Sequence, residues 1–220
     1  MKRAFILDMD GTLVDNMAYH GRAWLEFFAR RGRALDTGAF FRSSTGRHSA
    51  EILRDAFGPQ LSDAECEAMT EEKEGLYRAA YAPHQKPMPG LEGFLARARA
   101  GGFALAVGTA APRANVQFTL DGLQLRKHFD AVVGAADVPR GKPAPDVFLK
   151  AAQSCGAAPH DCIVIEDAPL GLEAARNAGM RAVALTTTMG AEAFAGFPHV
   201  IAVAPDYLTL SPEALFAAVR

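Results

Sequence analysis

The sequence predicts a doubly wound parallel α/β sheet that carries an all-helical insert directly after its first strand. Short apolar runs recur at residues 4–7, 103–107, 131–133, 163–165 and 182–185, the pattern of strands buried on both faces. Helical spacing fills the intervals between the later runs, and repeated β–α alternation implies right-handed crossovers that cover both faces of the sheet. Between about Asn16 and His84 the alternation stops and only helical patterns remain. The expected division is an α/β core of residues 1–15 and 88–220 with a helical insert of residues 16–87.

Each element has a local reason. The run at 4–7 ends at Asp8, and Gly11 lets the chain turn away from the sheet. In the insert, Met17, Trp24, Leu25 and Phe28 share one helical face that ends at Gly32. Ile52, Leu53, Ala56 and Phe57 share a second, stopped by Gly58-Pro59. Ser62 followed by Glu65 is a capping box, opening a third helix through Met69, Leu76 and Tyr77. Residues 83–90, with Pro83, Pro87, Pro89 and Gly90, form a stiff return to the core. Leu91, Phe94, Leu95 and Ala98 then follow helical spacing up to Gly101-Gly102, as do Val147, Phe148, Ala151, Ala152 and Cys155 up to Gly156.

The 220 residues carry 23 basic and 25 acidic side chains, a net charge of −2 that offers no electrostatic drive towards nucleic acid or a membrane surface. Half the residues are apolar, enough for a sizeable core and incompatible with a wholly disordered chain. Cys66, Cys155 and Cys162 are odd in number and lack metal-ligand spacing, so reduced, structural thiols are expected. No apolar run approaches the ~20 residues that cross a bilayer. The opening Met1-Lys2-Arg3 and its apolar run resemble a signal sequence, but Asp8 and Asp10 interrupt it and no small-residue cleavage site follows. A cytoplasmic monomer acting on a small molecule is the expectation.

Ligands in such sheets bind beyond the carboxyl ends of the strands, and polar clusters fall at those ends. Asp8 and Asp10 alternate onto one side after the first run; two adjacent acids repel unless a cation or a reaction uses them. Their chemical reading is a nucleophilic Asp8 with Asp10 as proton donor and acceptor. Thr109 with Ala110 and Ala111 ends the second run, and Pro112 suits a helix N1 position, giving a hydroxyl and backbone N–H groups to an anion. Lys142, in the Pro-bracketed Gly141-Lys142-Pro143-Ala144-Pro145, aims an ammonium at phosphate oxygens or at an aspartyl carboxylate. Glu166-Asp167 supplies hard oxygen ligands suited to Mg²⁺. Singly, each cluster also fits an ordinary solvated strand end, turn or surface lysine. Together they describe one phosphoryl-transfer site.

In that order, Asp8-Met9-Asp10-Gly11-Thr12, Thr109, Lys142 and Glu166-Asp167 resemble the motifs of the haloacid dehalogenase-like (HAD) phosphotransferase superfamily. The likeness spans nearly the whole chain, the insert matching that family's helical cap. The β-phosphoglucomutase-like branch is nearest, through His20-Gly21-Arg22-Ala23-Trp24 and residues 141–146. The resemblance implies an aspartyl phosphate on Asp8, protonation of the leaving oxygen by Asp10, and Mg²⁺ held by Asp8, the Asp10 main-chain carbonyl and Asp167 with Glu166 assisting. It also places His20 near Asp10.

The resemblance admits two activities, a phosphatase and a β-phosphoglucomutase that interconverts β-glucose 1-phosphate and glucose 6-phosphate. A mutase must hold a second phosphate, for which Arg47, Lys73 and, from the core, Arg113 are candidate cations; Lys73-x-x-x-Tyr77 resembles the mutase cap. Two departures favour the phosphatase. Arg47 directly follows Gly46, where the mutase pattern has Arg three residues after the glycine, and Thr109-Ala110-Ala111-Pro112-Arg113 replaces its Ser-Ala-Ser-Lys-Asn loop. The expected substrate-binding set is His20, Trp24, Gly46, Arg47, Lys73, Ala110 and Arg113, with Trp24 also a natural member of the cap core. A phospho-signalling receiver shares the residue types, but its acidic pair precedes the acceptor Asp and it has no such insert. A non-catalytic phosphate-binding protein would fail a screen of phosphate esters.

Overall fold

A strand hidden on both faces needs an apolar side chain at every position, and β1 (Ala4–Leu7) supplies this: all of its residues are buried. In the computed structural model, which describes residues 2–218, β1 lies at the middle of a six-stranded sheet. It is joined by β2 (Ala104–Gly108), β3 (Ala131–Val133), β4 (Cys162–Glu166), β5 (Arg181–Leu185) and β6 (Val200–Ala204) in the order β3-β2-β1-β4-β5-β6. Every pairing is parallel, with Leu7 in register with Val107 on one side and Ile165 on the other. The chain therefore leaves β1 in opposite directions, and a crevice opens at the carboxyl ends of β2, β1 and β4.

Strand alternation sorts the core into two layers. Phe5 and Leu7 face α5 (Leu91–Ala100), α6 (Arg113–Gly122) and α9 (Pro212–Ala217), while Ala4 and Ile6 face α7 (Asp146–Cys155) and α8 (Pro169–Asn177). Phe5 meets Phe94, Phe103 and Phe216 edge-on with centroids 5.1, 5.4 and 5.0 Å apart, so its truncation to Ala would cost about 3–5 kcal/mol.

Between β1 and α5 run the cap helices α1 (Met17–Ala29), α2 (Thr37–Ser44), α3 (Ser49–Phe57) and α4 (Asp63–Tyr81). The cap has its own core of Trp24, Phe27, Phe28, Ile52, Leu53 and Cys66. A second cluster, Val14, Ala23, Tyr77 and Tyr81 against Phe118 and Leu123, seals α1 and α4 to α6 of the α/β layer. The Ser62–Glu65 capping box opens α4 with both reciprocal hydrogen bonds made.

The structure adds β6, α2 and α9 to the predicted elements. The sixth strand is an edge strand with Val203 exposed, yet residues 200–204 are a continuous apolar run between Pro198 and Pro205, so the rule used for the other strands would have found it. Pro112 stands at the N-cap of α6, not at N1 as predicted. The three cysteines are free and buried. No helix among the described residues is long and apolar enough to cross a membrane.

Candidate active site

Asp8 continues β1 by one residue, its N–H donating to the Ile165 carbonyl at 3.0 Å, which fixes its side chain at the floor of the crevice. Thr109 extends β2 in the same way towards the Val133 carbonyl, and its hydroxyl accepts from the Ala111 N–H. Lys142, in the loop before α7, is 1% exposed and donates at 2.7 Å to both Asp8 Oδ1 and Glu166 Oε1. It thus ties the end of β1 to the end of β4, with its ammonium 4.9 Å above the Phe148 ring.

The other Glu166 oxygen accepts from the main-chain N–H groups of Asp167 and Ala168, so both oxygens of this residue brace the site. Asp167 accepts from Thr12 at 3.2 Å and from Thr188, which follows β5. Two glycines make room for the acids: a Cβ on Gly11, whose φ is +77°, would run into the Asp167 carboxylate, and one on Gly171 would overlap Glu166.

Carboxylate oxygens of Asp8, Glu166 and Asp167 lie within 4.8 Å of one another, all three residues are buried, and Lys142 is, among the described residues, the single ammonium bonded within the group. Burial, opposed by Lys142 and reinforced by Glu166, pushes Asp8 up to about 7. Burial with Glu166 and Asp8 beside it raises Asp167 well above the usual carboxylate range. Lys142 is held above its ordinary value: burial acts to lower it, and Asp8 and Glu166 outweigh that. Three acids against one base leave negative charge that a divalent cation would neutralise, and all-oxygen donors fit a hard ion such as Mg²⁺. Glu166, spent on Lys142 and two amides, is the least available of the predicted ligands.

Asp10 belongs to a second network that runs into the cap. Asn16 donates to it at 2.6 Å, accepts from the Gly11 N–H and meets the Tyr77 hydroxyl. His20 Nε2 lies 3.6 Å from Asp10, too long for a hydrogen bond, and this buried nitrogen has no hydrogen-bond partner. Its ring stacks on Tyr77 with centroids 3.7 Å apart. Burial acts to raise the pKa of Asp10, but His20, Asn16 and Lys73 outweigh it and hold the acid below its ordinary value.

Beyond His20, Lys73 Nζ contacts His20 Nδ1 at 3.1 Å and Glu74 Oε1 at 2.6 Å, and Glu74 Oε2 accepts from Asn115 on α6 at 2.7 Å. A buried chain of polar contacts therefore links the cap to the core.

One pocket is lined by Asp8, Asp10, His20, Trp24, Gly46, Arg47, Lys73, Thr109, Ala110, Glu166 and Asp167. Of the predicted set Lys142 stands just beneath it, bonded to Asp8. Arg113 does not belong there: it begins α6, is exposed and is absent from the lining, because the helix turns its first side chain to solvent. Trp24 serves both as cap core and as pocket wall, with Lys73 4.8 Å over its ring. Arg47 reaches back to Glu51 at 3.5 Å and Asp55 at 2.8 Å.

Sequence reasoning gave no site role to Asn16, Glu74, Asn115 or Thr188, and quoted Thr12 only as part of the motif that begins at Asp8. Thr188 had a signal, since it closes another apolar run at the same end of the sheet. Asn16, Glu74 and Asn115 had none, because their partners are distant in sequence or hidden within helical patterns.

The family model described as haloacid dehalogenase-like hydrolase matches residues 2–179. Fructose-1-phosphate phosphatase YqaB of Escherichia coli is 36% identical over 178 residues, covering 81% of this chain and 93% of that protein. Validoxylamine A 7′-phosphate phosphatase of Streptomyces hygroscopicus subsp. limoneus is 33% identical over 203 residues, covering 89% and 91%. Among solved structures, β-phosphoglucomutase of Clostridium difficile superposes with a TM-score of 0.84 at 27% identity, covering 100% of this chain and 97% of that one. The chain belongs to the haloacid dehalogenase-like hydrolases, and is an enzyme of the phosphatase and phosphoglucomutase type within that family.

Proposed function

We propose that the protein is a Mg²⁺-dependent phosphatase that hydrolyses a small phosphate monoester, the phosphate of a sugar or polyol, through a phosphorylated Asp8. The observation that carries this reading is the bracket at Asp8. Lys142 holds one carboxylate oxygen at 2.7 Å, and the buried side chain still lines the pocket, so the other oxygen is left to meet phosphorus.

In the first half-reaction an Asp8 oxygen forms a bond to phosphorus while the ester P–O bond breaks. The departing oxygen takes a proton from Asp10. Asp10 is ionised in the resting site, and an entering phosphate dianion raises its proton affinity, so it takes up a proton from solvent as substrate binds. In the second half-reaction Asp10 accepts a proton from water as the water oxygen attacks phosphorus, and the Asp8–phosphorus bond breaks. Thr109 and the amides at the start of α6 hold the phosphoryl oxygens, and Lys142 offsets their charge. Mg²⁺, held by Asp8, Asp167 and the Asp10 carbonyl with Glu166 assisting, would supply further positive charge to those oxygens.

We take residues 16–87 as the cap that closes over the ester, with His20, Trp24 and Lys73 nearest the leaving group. Relatives named as phosphatases of fructose 1-phosphate, validoxylamine A 7′-phosphate and hexitols support a sugar-like substrate. The alternative, a β-phosphoglucomutase, draws support from the likeness to that enzyme's structure.

The deciding experiment supplies β-glucose 1-phosphate with trace bisphosphate, Mg²⁺ and a coupled detector of glucose 6-phosphate. Release of inorganic phosphate without isomerisation is expected. Formation of glucose 6-phosphate in excess of phosphate would replace this reading with the mutase.

A further inference from the structure

Resting on the phosphatase reading, we propose that Glu74 sets the charge selectivity of the pocket's cap side, admitting an uncharged, hydroxyl-bearing leaving group and rejecting a second phosphate. A phosphate bound at a distance from the reacting one needs cations with N–H groups to spare. Lys73, the most deeply buried cation among the described residues on the cap side, is already engaged. Its ammonium lies 2.6 Å from Glu74 Oε1, 3.1 Å from His20 Nδ1 and 4.8 Å from the centre of the Trp24 ring, and the residue is 2% exposed.

Glu74 is itself buried and anchored to the core by Asn115, so it is not free to swing away when a ligand arrives. Arg47 is drawn towards Glu51 and Asp55, and Arg113 lies outside the pocket. Among the described residues on the cap side, each lining cation is therefore matched by at least one carboxylate, so a second dianion would find no cation there free of a carboxylate partner, and Glu74 keeps Lys73 from serving as one. What the lining still offers are the hydroxyls of Ser44 and Ser49 and the Nε2 of His20, which makes no hydrogen bond. These suit the hydroxyl groups of a sugar or polyol.

The test separates binding from turnover. In an Asp8→Asn background, with Mg²⁺ present, calorimetry compares glucose 6-phosphate with glucose 1,6-bisphosphate, before and after adding Glu74→Gln. The amide keeps an oxygen for Lys73 and removes the charge. The expected result is monophosphate binding at least about tenfold tighter than bisphosphate in the parent, and a shift of that ratio towards bisphosphate of about tenfold in the double variant. A ratio that moves less than about twofold overturns the proposal. So does a parent that binds bisphosphate as tightly as monophosphate, an outcome readable even if the double variant does not fold. Failure of the phosphatase reading would show separately, as absence of phosphate release from any ester by the unmodified enzyme.

Discussion

Two buried charge clusters share one pocket and differ in their balance. At the sheet, Asp8, Glu166 and Asp167 crowd around the one ammonium of Lys142. In the cap, Lys73 and Glu74 match one to one, with His20 and Asn115 completing their contacts. The unbalanced cluster stores repulsion that a cation and an electrophile relieve, as a reactive centre requires. The balanced cluster is satisfied as it stands, so it holds the cap on the core and adds no net charge to the substrate's surroundings. Removing an acid should therefore have opposite effects on stability at the two places.

The largest expected effect is at the unbalanced end. Asp8→Asn removes the attacking oxygen's charge, and kcat in a phosphate-release assay should fall by at least about 10³-fold with the fold intact by circular dichroism.

Next in size is Glu74→Gln, which weakens the partner of a buried ammonium and should cost about 1–3 kcal/mol in chemical denaturation. Burial acts to raise Glu74, but Lys73 and His20 outweigh it and hold the acid below its ordinary 4.5. Its stabilising contribution is thus complete above that value and lost as the pH falls through the lowered one, so the variant should flatten the acid limb of the stability profile.

Asp167→Asn should act the other way. Without divalent ion it relieves repulsion and raises Tm by about 2–4 °C, the equivalent of about 1 kcal/mol in a chain of this size. Added Mg²⁺ should raise the Tm of the parent and leave the variant nearly unmoved, and chelation should abolish parent activity. A drop in Tm for metal-free Asp167→Asn would break the contrast.

Smallest is Arg113→Ala. With its side chain exposed and outside the pocket, kcat/KM and Tm should stay within the scatter of a neutral surface change, about 0.5 kcal/mol. A large rise in KM would return Arg113 to the site.

The unbalanced cluster was legible in the sequence because each member sits just past an apolar run, and parallel strands bring such positions to one edge. Asp8, Thr109 and Glu166 needed only the strand rule, and Lys142 the stiff loop that aims it. The balanced cluster was not legible in the same way. Glu74 sits among the charges of a 19-residue helix, and nothing local distinguishes the one that turns inward from those in solvent. Asn115 becomes a partner only when α6 packs against the cap. Arg113 was not placed by its loop motif, which says nothing about the direction in which the first turn of α6 points it. The edge strand β6 was readable, whereas α2, with few apolar positions to show a period, was not.

The central claim is that phosphorus becomes covalently bound to Asp8. Mixing enzyme, Mg²⁺ and a radiolabelled phosphate ester, quenching in acid within one turnover and mapping the labelled peptide by mass spectrometry tests it directly. The account predicts label on the peptide of β1, at Asp8, and none in Asp8→Asn. Label on another side chain, or continued turnover by Asp8→Asn with unlabelled protein, would contradict it.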